Sequence, residues 1–201
     1  MTTTTRTVDV SGLPSFAFGN RTILWWATAC LMVIEGTVFA ITIVSYVYLR
    51  GRQPEWPPNL PAPGLFWGTV NTVIMLASAL PNHITKKYAE KLELGPTRLW
   101  LAACILFAAV FLGVRVFEYG ALNCRWDTNA YGSAVWMLLS LHTIHLVTDF
   151  YDTAVLALLT YTGPWEGRRY VDLSENAMYW YFVVIAWVPI YAIIYLAPRY
   201  A

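Results

Sequence analysis

From residue 22 to residue 49 the chain reads TILWWATACLMVIEGTVFAITIVSYVYL, between Arg21 and Arg50. A helix needs about 20 mostly apolar residues to cross the hydrocarbon core of a membrane, and this stretch exceeds that length. Its one carboxylic acid is Glu35, near the centre. The stretch predicts a transmembrane helix with a glutamate at about mid-membrane depth.

Four further runs have the apolar character of membrane spans, at residues 65–80, 99–122, 131–161 and 177–197. The shortest run meets Pro81, so this span either tilts little in the membrane or continues past the proline. Residues 1–20 are polar and Thr-rich, and we expect them to form a retained tail rather than a signal peptide. The predicted fold is all-α, a polytopic membrane bundle of five transmembrane helices over residues 21–201.

The composition agrees with a membrane protein. Of the 201 residues, 58% are hydrophobic and 12% are charged, whereas a soluble domain carries about 25% charged residues. The formal net charge of +1 gives no reason to expect a nucleic-acid partner. The three cysteines show no CxxC or Cys/His spacing, which argues against a zinc site or a disulfide framework.

The distribution of Lys and Arg predicts the orientation. Eight lie on the side of the N-terminus and five on the opposite side. Positive charge favours the cytoplasmic side, so the N-terminus is expected inside. Aromatic residues lie near the predicted boundaries, as Tyr179, Trp180 and Tyr181 do at the start of the fifth run. Most of these residues are interpreted as interfacial anchors.

Glu35 is the first candidate functional residue. A charged acid at the centre of a membrane helix costs about 2.5–3.5 kcal/mol and usually faces the protein interior. One interpretation is a proton-relay, lipid-headgroup or partner-binding residue. The other is a protonated glutamate that holds two helices together. The residue alone leaves both interpretations open.

A second group of polar residues lies on the fourth run. His142, His145, Asp149 and Asp152 fall within about 80° of one another on a helix surface, so they predict one polar face. Two histidines and two carboxylates on one helix form an incomplete metal shell. We therefore expect neither metal nor haem here, and interpret Asp149 and Asp152 as part of a buried polar face.

A third group lies near the end of the third run, where Arg115 and Glu118 have the i, i+3 spacing of a local ion pair. Beyond these three groups, the sequence shows no nucleophile elbow, phosphate loop or dinucleotide fingerprint. No catalytic residue is assigned. This favours an accessory subunit or a transporter over a self-sufficient enzyme.

The motifs, taken in order, resemble subunit III of the haem–copper oxidases in its five-helix bacterial form. The matching segments are MVIEGTVFA at 32–40, PEWPP at 54–58, NTVIMLASA at 71–79, VFEY at 116–119, YGSAVWMLLSLHTIH at 131–145 and SENAMYWYFVVIAWVPIYAIIY at 174–195. The chain resembles a divergent member. Tyr181 and Val184 stand where the family usually has His and Asp, and Asp149 stands where it usually has Gly.

The resemblance implies a non-catalytic subunit in a bacterial inner membrane. Haem and copper would belong to partner subunits I and II, and this chain would have no cofactor of its own apart from bound phospholipid. It would support subunit I and proton uptake during oxygen reduction. The residues expected to face lipid or a partner are Glu35, Glu118, His142 and His145. Alternatives are a subunit associated with a nitric oxide reductase and a small proton-coupled transporter.

Overall fold

A computed structural model describes residues 23–162 and 167–200, and the predicted tail over residues 1–20 lies outside them. The described residues form five α-helices followed by a short π-helix and a 3₁₀ turn, with no strand in these ranges. The elements are α1 (Ile23–Arg50), α2 (Leu65–Glu90), α3 (Leu94–Gly120), α4 (Ala130–Thr162), α5 (Gly167–Tyr191), the π-helix (Ala192–Leu196) and the 3₁₀ turn (Ala197–Arg199).

Four helical stretches are long and apolar enough to cross a membrane. They are α1, α3, α4 and the stretch Tyr170–Arg199, which contains most of α5. The expectation of an all-helical membrane protein is confirmed. Helix α2 has sufficient length at 26 residues but buries polar side chains such as Asn71, Ser78 and Asn82, which lower its hydropathy. Five spans and a cytoplasmic N-terminus stay predictions.

Three helices extend beyond the apolar runs of the sequence. Helix α2 continues through Pro81 to Glu90, so the second of the two alternatives at the proline holds. Helix α3 begins at Leu94, and α5 begins at Gly167 rather than near residue 177. Hydropathy detects the apolar part of a helix, whereas these helices extend into polar sequence at one end.

Helix α4 lies at the centre of the bundle. Its residues Val135, Leu138 and Leu139 are fully buried, and it packs against α1, α3 and α5. Helix α2 packs against α3 and α5 on the other side. Helix α1 contacts the bundle along one face, so Val33 and Val44 on its other face are largely exposed.

The loop between α1 and α2 is fixed by one aromatic cluster. Trp56 is buried, and its ring packs edge-on against Tyr46 of α1 at 5.3 Å and Tyr131 of α4 at 5.2 Å. Edge-to-face pairs of this kind add about 0.5–1.5 kcal/mol beyond area burial. The proline-rich loop therefore packs against the C-terminal end of α1 and the N-terminal end of α4.

Candidate functional site

Glu35 lies where α1 meets α4 and α5. Tyr179 of α5 donates a hydrogen bond of 2.7 Å from its hydroxyl to Glu35 Oε2. His145 of α4 places Nε2 at 3.6 Å from Glu35 Oε1. The side chain of Glu35 is 20% exposed and that of His145 is 11% exposed. Two neighbouring helices therefore hold the glutamate, and it still reaches the surface of the bundle.

The proton positions on His145 follow from its other contact. Nδ1 lies 2.6 Å from the carbonyl oxygen of Leu141, and a carbonyl can only accept, so Nδ1 carries a hydrogen. Nε2 is then the nitrogen that faces Glu35. The separation of 3.6 Å is longer than a direct hydrogen bond, so the contact between Glu35 and His145 is electrostatic.

Glu35 borders a groove of about 510 Å³ between α1, α4 and α5, which we call the acidic groove. Its charged lining residues are Glu35, Asp149, Asp152, Asp172 and Glu175. Leu24 and Leu31 of α1 and Val155, Leu156 and Leu159 of α4 form its apolar walls. The groove combines hydrocarbon walls with carboxylate oxygens.

Asp149 is the most deeply placed carboxyl group of the groove. It is 1% exposed, and neither of its carboxyl oxygens has a hydrogen-bond partner. A buried polar group without a partner costs free energy. Asp149 is thus a buried acid of α4, whereas Asp152, one turn further along the helix, is exposed.

Glu118 belongs to a different, internal network. Its Oε2 accepts hydrogen bonds of 2.8 Å from Arg115 and from Asn71 of α2. Its Oε1 accepts a hydrogen bond of 2.5 Å from the hydroxyl of Tyr195. The side chains of Arg115 and Glu118 are each 1% exposed. The predicted ion pair is formed, and it lies inside the bundle.

His142 joins this internal network through Arg115. One guanidinium nitrogen of Arg115 lies 3.2 Å from His142 Nδ1, and His142 Nε2 lies 3.1 Å from the carbonyl oxygen of Val183. Arginine only donates and a carbonyl only accepts, so His142 is the Nε2–H tautomer. The sequence grouped Glu118 and His142 with Glu35 at an outer surface. The structure instead places them inside the bundle, because the buried Arg115 requires acceptors.

Tyr195 reaches Glu118 because of two local features. The π-helix at Ala192–Leu196 interrupts the regular α-helical repeat at the end of α5, and such bulges re-aim side chains. Gly68 of α2 supplies the space, since a Cβ at that position would lie 2.5 Å from the Tyr195 ring. The network thus depends on one glycine and one irregular turn.

Tyr179 and Trp180 do not lie at the end of their helix. Helix α5 begins before residue 177, so both residues lie inside the bundle rather than at its end. Trp180 is buried and donates a hydrogen bond of 3.0 Å from Nε1 to Ser78 of α2. Tyr179 is the hydrogen-bond donor to Glu35. Its spacing from Glu35 carried no signal that could have found this contact.

Within residues 23–162 and 167–200, no group of three or more His, Cys, Asp or Glu side chains has an arrangement that could hold a metal ion. The histidines of the predicted polar face instead point to separate partners, one to Arg115 and one to Glu35. The described polar side chains of the site form hydrogen bonds and ion-pair contacts.

Comparison with known proteins identifies similar chains. A family model described as cytochrome c oxidase subunit III matches residues 56–198. Cytochrome c oxidase subunit 3 of Thermostichus vulcanus is 25% identical over 170 residues, covering 84% of this chain and 85% of that protein. The subunit of the same name in Bacillus subtilis strain 168 is 26% identical, covering 81% of this chain and 80% of its own.

A third relative is a subunit of a ubiquinol oxidase. Cytochrome bo(3) ubiquinol oxidase subunit 3 of Pseudomonas aeruginosa is 22% identical over 181 residues. The match covers 89% of this chain and 85% of that protein. The similarity to these cytochrome c and ubiquinol oxidase subunits therefore covers 80–85% of the relatives' length.

Proposed function

This chain belongs to the cytochrome c oxidase subunit III family, and we propose that it is the non-catalytic subunit III of a bacterial respiratory haem–copper terminal oxidase. The family match over residues 56–198 is the observation that carries the proposal. Haem and copper belong to partner subunits I and II in this proposal, and this chain supplies no redox centre. Its proposed location is the bacterial inner membrane, with the N-terminus in the cytoplasm.

The proposal includes a fifth membrane span. Helix α2 has 26 residues and is therefore about 39 Å long, which exceeds the hydrocarbon thickness of about 30 Å. Its buried polar residues point into the bundle, where Asn71 donates to Glu118 and Asn82 donates to the carbonyl oxygen of Ala177. Low hydropathy in α2 then reflects internal hydrogen bonds rather than exposure to water.

The outer surface of α1 supports a role in lipid and partner contact. Val33, Ile41 and Val44 are exposed by 70%, 62% and 65%, and apolar side chains so placed suit phospholipid acyl chains. Glu35 and His145 lie beside this surface, at the acidic groove. We assign this side of α1 to contact with lipid and with subunit I. The carboxylic side chains of the acidic groove are proposed to support proton uptake.

Purification in mild detergent tests the function. We expect haem-containing polypeptides to accompany the chain, and the separated chain to show no visible absorption. The preparation should consume oxygen, and the same membranes without this chain serve as the control. Reduction of nitric oxide instead of oxygen would transfer the chain to a nitric oxide reductase. A colourless chain that is purified alone and moves protons in liposomes would contradict the proposal.

A further inference from the structure

A small cavity lies where α2, α3, α4 and α5 meet inside the bundle. It has a volume of about 10 Å³ for the centre of a water molecule, which is sufficient for one water. Helix α2 packs mainly against α3 and α5, and α4 mainly against α1, α3 and α5. The cavity therefore lies between two helices, α2 and α4, that have little direct contact. The side chains with nitrogen or oxygen atoms in its lining are Ser78, Asn82, Thr85, Thr153, Asn176 and Trp180.

Two hydrogen-bonded pairs in this lining keep unused bonding capacity. Ser78 Oγ of α2 donates to the carbonyl oxygen of Met75 and accepts a bond of 3.0 Å from Trp180 Nε1. A hydroxyl oxygen has two lone pairs, so one lone pair of Ser78 stays available. Thr153 Oγ1 of α4 accepts a bond of 2.9 Å from Asn176 Nδ2, and its own hydrogen has no acceptor among the described residues. The lining thus offers an acceptor on α2 and a donor on α4.

The burial and the polarity of the lining indicate which molecule fits. Ser78 is 3% exposed and Thr153 is 5% exposed, and buried polar groups without partners cost free energy. Cavities that stay dry are lined by apolar side chains, whereas a buried water makes about three hydrogen bonds to polar groups. Asn82 and Asn176 add amide oxygens to this lining. The cavity therefore matches water, while an apolar gas would leave the Ser78 and Thr153 hydroxyls unsatisfied.

We propose that this cavity binds one water molecule, which accepts a hydrogen bond from Thr153 of α4 and donates one to Ser78 of α2. The second hydrogen of the water bonds to the amide oxygen of Asn82 or Asn176. The described hydrogen bonds from α2 to other helices go to α3 and α5. The water therefore supplies the polar connection between α2 and the central helix α4.

Radiolytic labelling of the chain, purified in mild detergent with the polypeptides that accompany it, tests the inference. X-rays split an ordered water into a hydroxyl radical, which oxidises the side chain beside it. Trp180 borders the cavity and Trp187 does not. The two residues are otherwise matched, because both are buried on α5 and donate from Nε1 to a hydroxyl of α2. We expect mass spectrometry to find oxidised Trp180 and unmodified Trp187. Unmodified Trp180, or equal oxidation of both, would overturn the inference.

Filling the cavity separates its water from solvent that reaches Trp180 by another route. Ala108→Val adds two methyl groups to the lining, and Ala109→Val makes the same change at an exposed position of α3. We expect the Trp180 label to be lost in Ala108→Val and kept in Ala109→Val.

The Thr153 hydroxyl gives a second comparison, which decides the matter if Ala108→Val does not fold. Thr153→Ser keeps the donor and should keep the Trp180 label, whereas Thr153→Val removes the donor and should lose the label. A label that persists in Ala108→Val or in Thr153→Val would overturn the inference. The site lies within this chain, so that result would leave the proposed function standing.

Discussion

The hydroxyl of Tyr179 on α5 donates a 2.7 Å hydrogen bond to the carboxyl group of Glu35 on α1, and the two residues lie 144 positions apart in the chain. Helix α1 packs mainly against α4 and α5, and this bond and the contact with His145 are polar attachments between it and those helices. The pair therefore links the most peripheral helix to the bundle and fixes one edge of the acidic groove.

Removing the Tyr179 hydroxyl should loosen α1. Interhelical hydrogen bonds in membrane proteins contribute about 0.6 kcal/mol on average and up to about 1.7 kcal/mol. We expect Tyr179→Phe to lower the free energy of unfolding within this range, measured by unfolding in mixed micelles. Tyr151→Phe is the control, since Tyr151 lies on α4 and is 68% exposed. An equal effect of both variants would show that the Glu35 bond adds no stability.

The buried pair of Arg115 and Glu118 should be sensitive to the loss of one partner. Glu118→Gln leaves the guanidinium of Arg115 buried without its counter-charge, and such losses cost about 3–5 kcal/mol. We expect a large fall in thermal stability of the purified chain. Asp127→Asn, which breaks an exposed pair with Arg125, should change stability by no more than about 0.5 kcal/mol. Comparable melting temperatures for the two variants would contradict this.

Gly68 should not accept a side chain. The added Cβ of Gly68→Ala would lie 2.5 Å from the Tyr195 ring, and overpacking of this kind costs about 1–3 kcal/mol. In Gly113→Ala, where the added Cβ meets nothing within 4 Å, we expect a gain of about 0.5–1 kcal/mol from the better helix propensity. Thermal unfolding compares the two, and stabilisation by both alanines would show that Tyr195 moves freely.

The cysteines should differ in reactivity. Burial raises the pKa of the Cys124 thiol to about 11 in the loop between α3 and α4, while Cys30 is exposed on α1. The thiolate is the reactive form, so maleimide labelling of Cys124 should be slow at pH 7 and rise about tenfold per pH unit up to its pKa. Single-cysteine variants labelled between pH 7 and pH 9 check this. Rapid labelling of Cys124 at pH 7 would contradict the burial.

The existence of each helix could be predicted from local sequence, but the bounds of the helices could be predicted only in part. Apolar runs located all five helices, because a long hydrophobic stretch between polar segments has few other stable arrangements. The sequence left open whether α2 continues past Pro81, and the apolar run gave only the later part of α5, since both helices include polar sequence where hydropathy gives no signal. The partners of Glu118 and His142 were missed as well, because they come from helices far apart in the chain.

The sequence by itself determined the kind of protein: a helical membrane protein with Glu35 in its first apolar helix. Chain composition and periodicity are sufficient for this, because apolar side chains partition into hydrocarbon whatever their neighbours are. Only the tertiary structure decided which polar residues meet. It joined Glu118 to Arg115, Asn71 and Tyr195 inside the bundle and left Asp149 unpartnered in a groove. Hydrogen bonds and ion pairs act over a few ångströms, so their partners depend on how the helices pack.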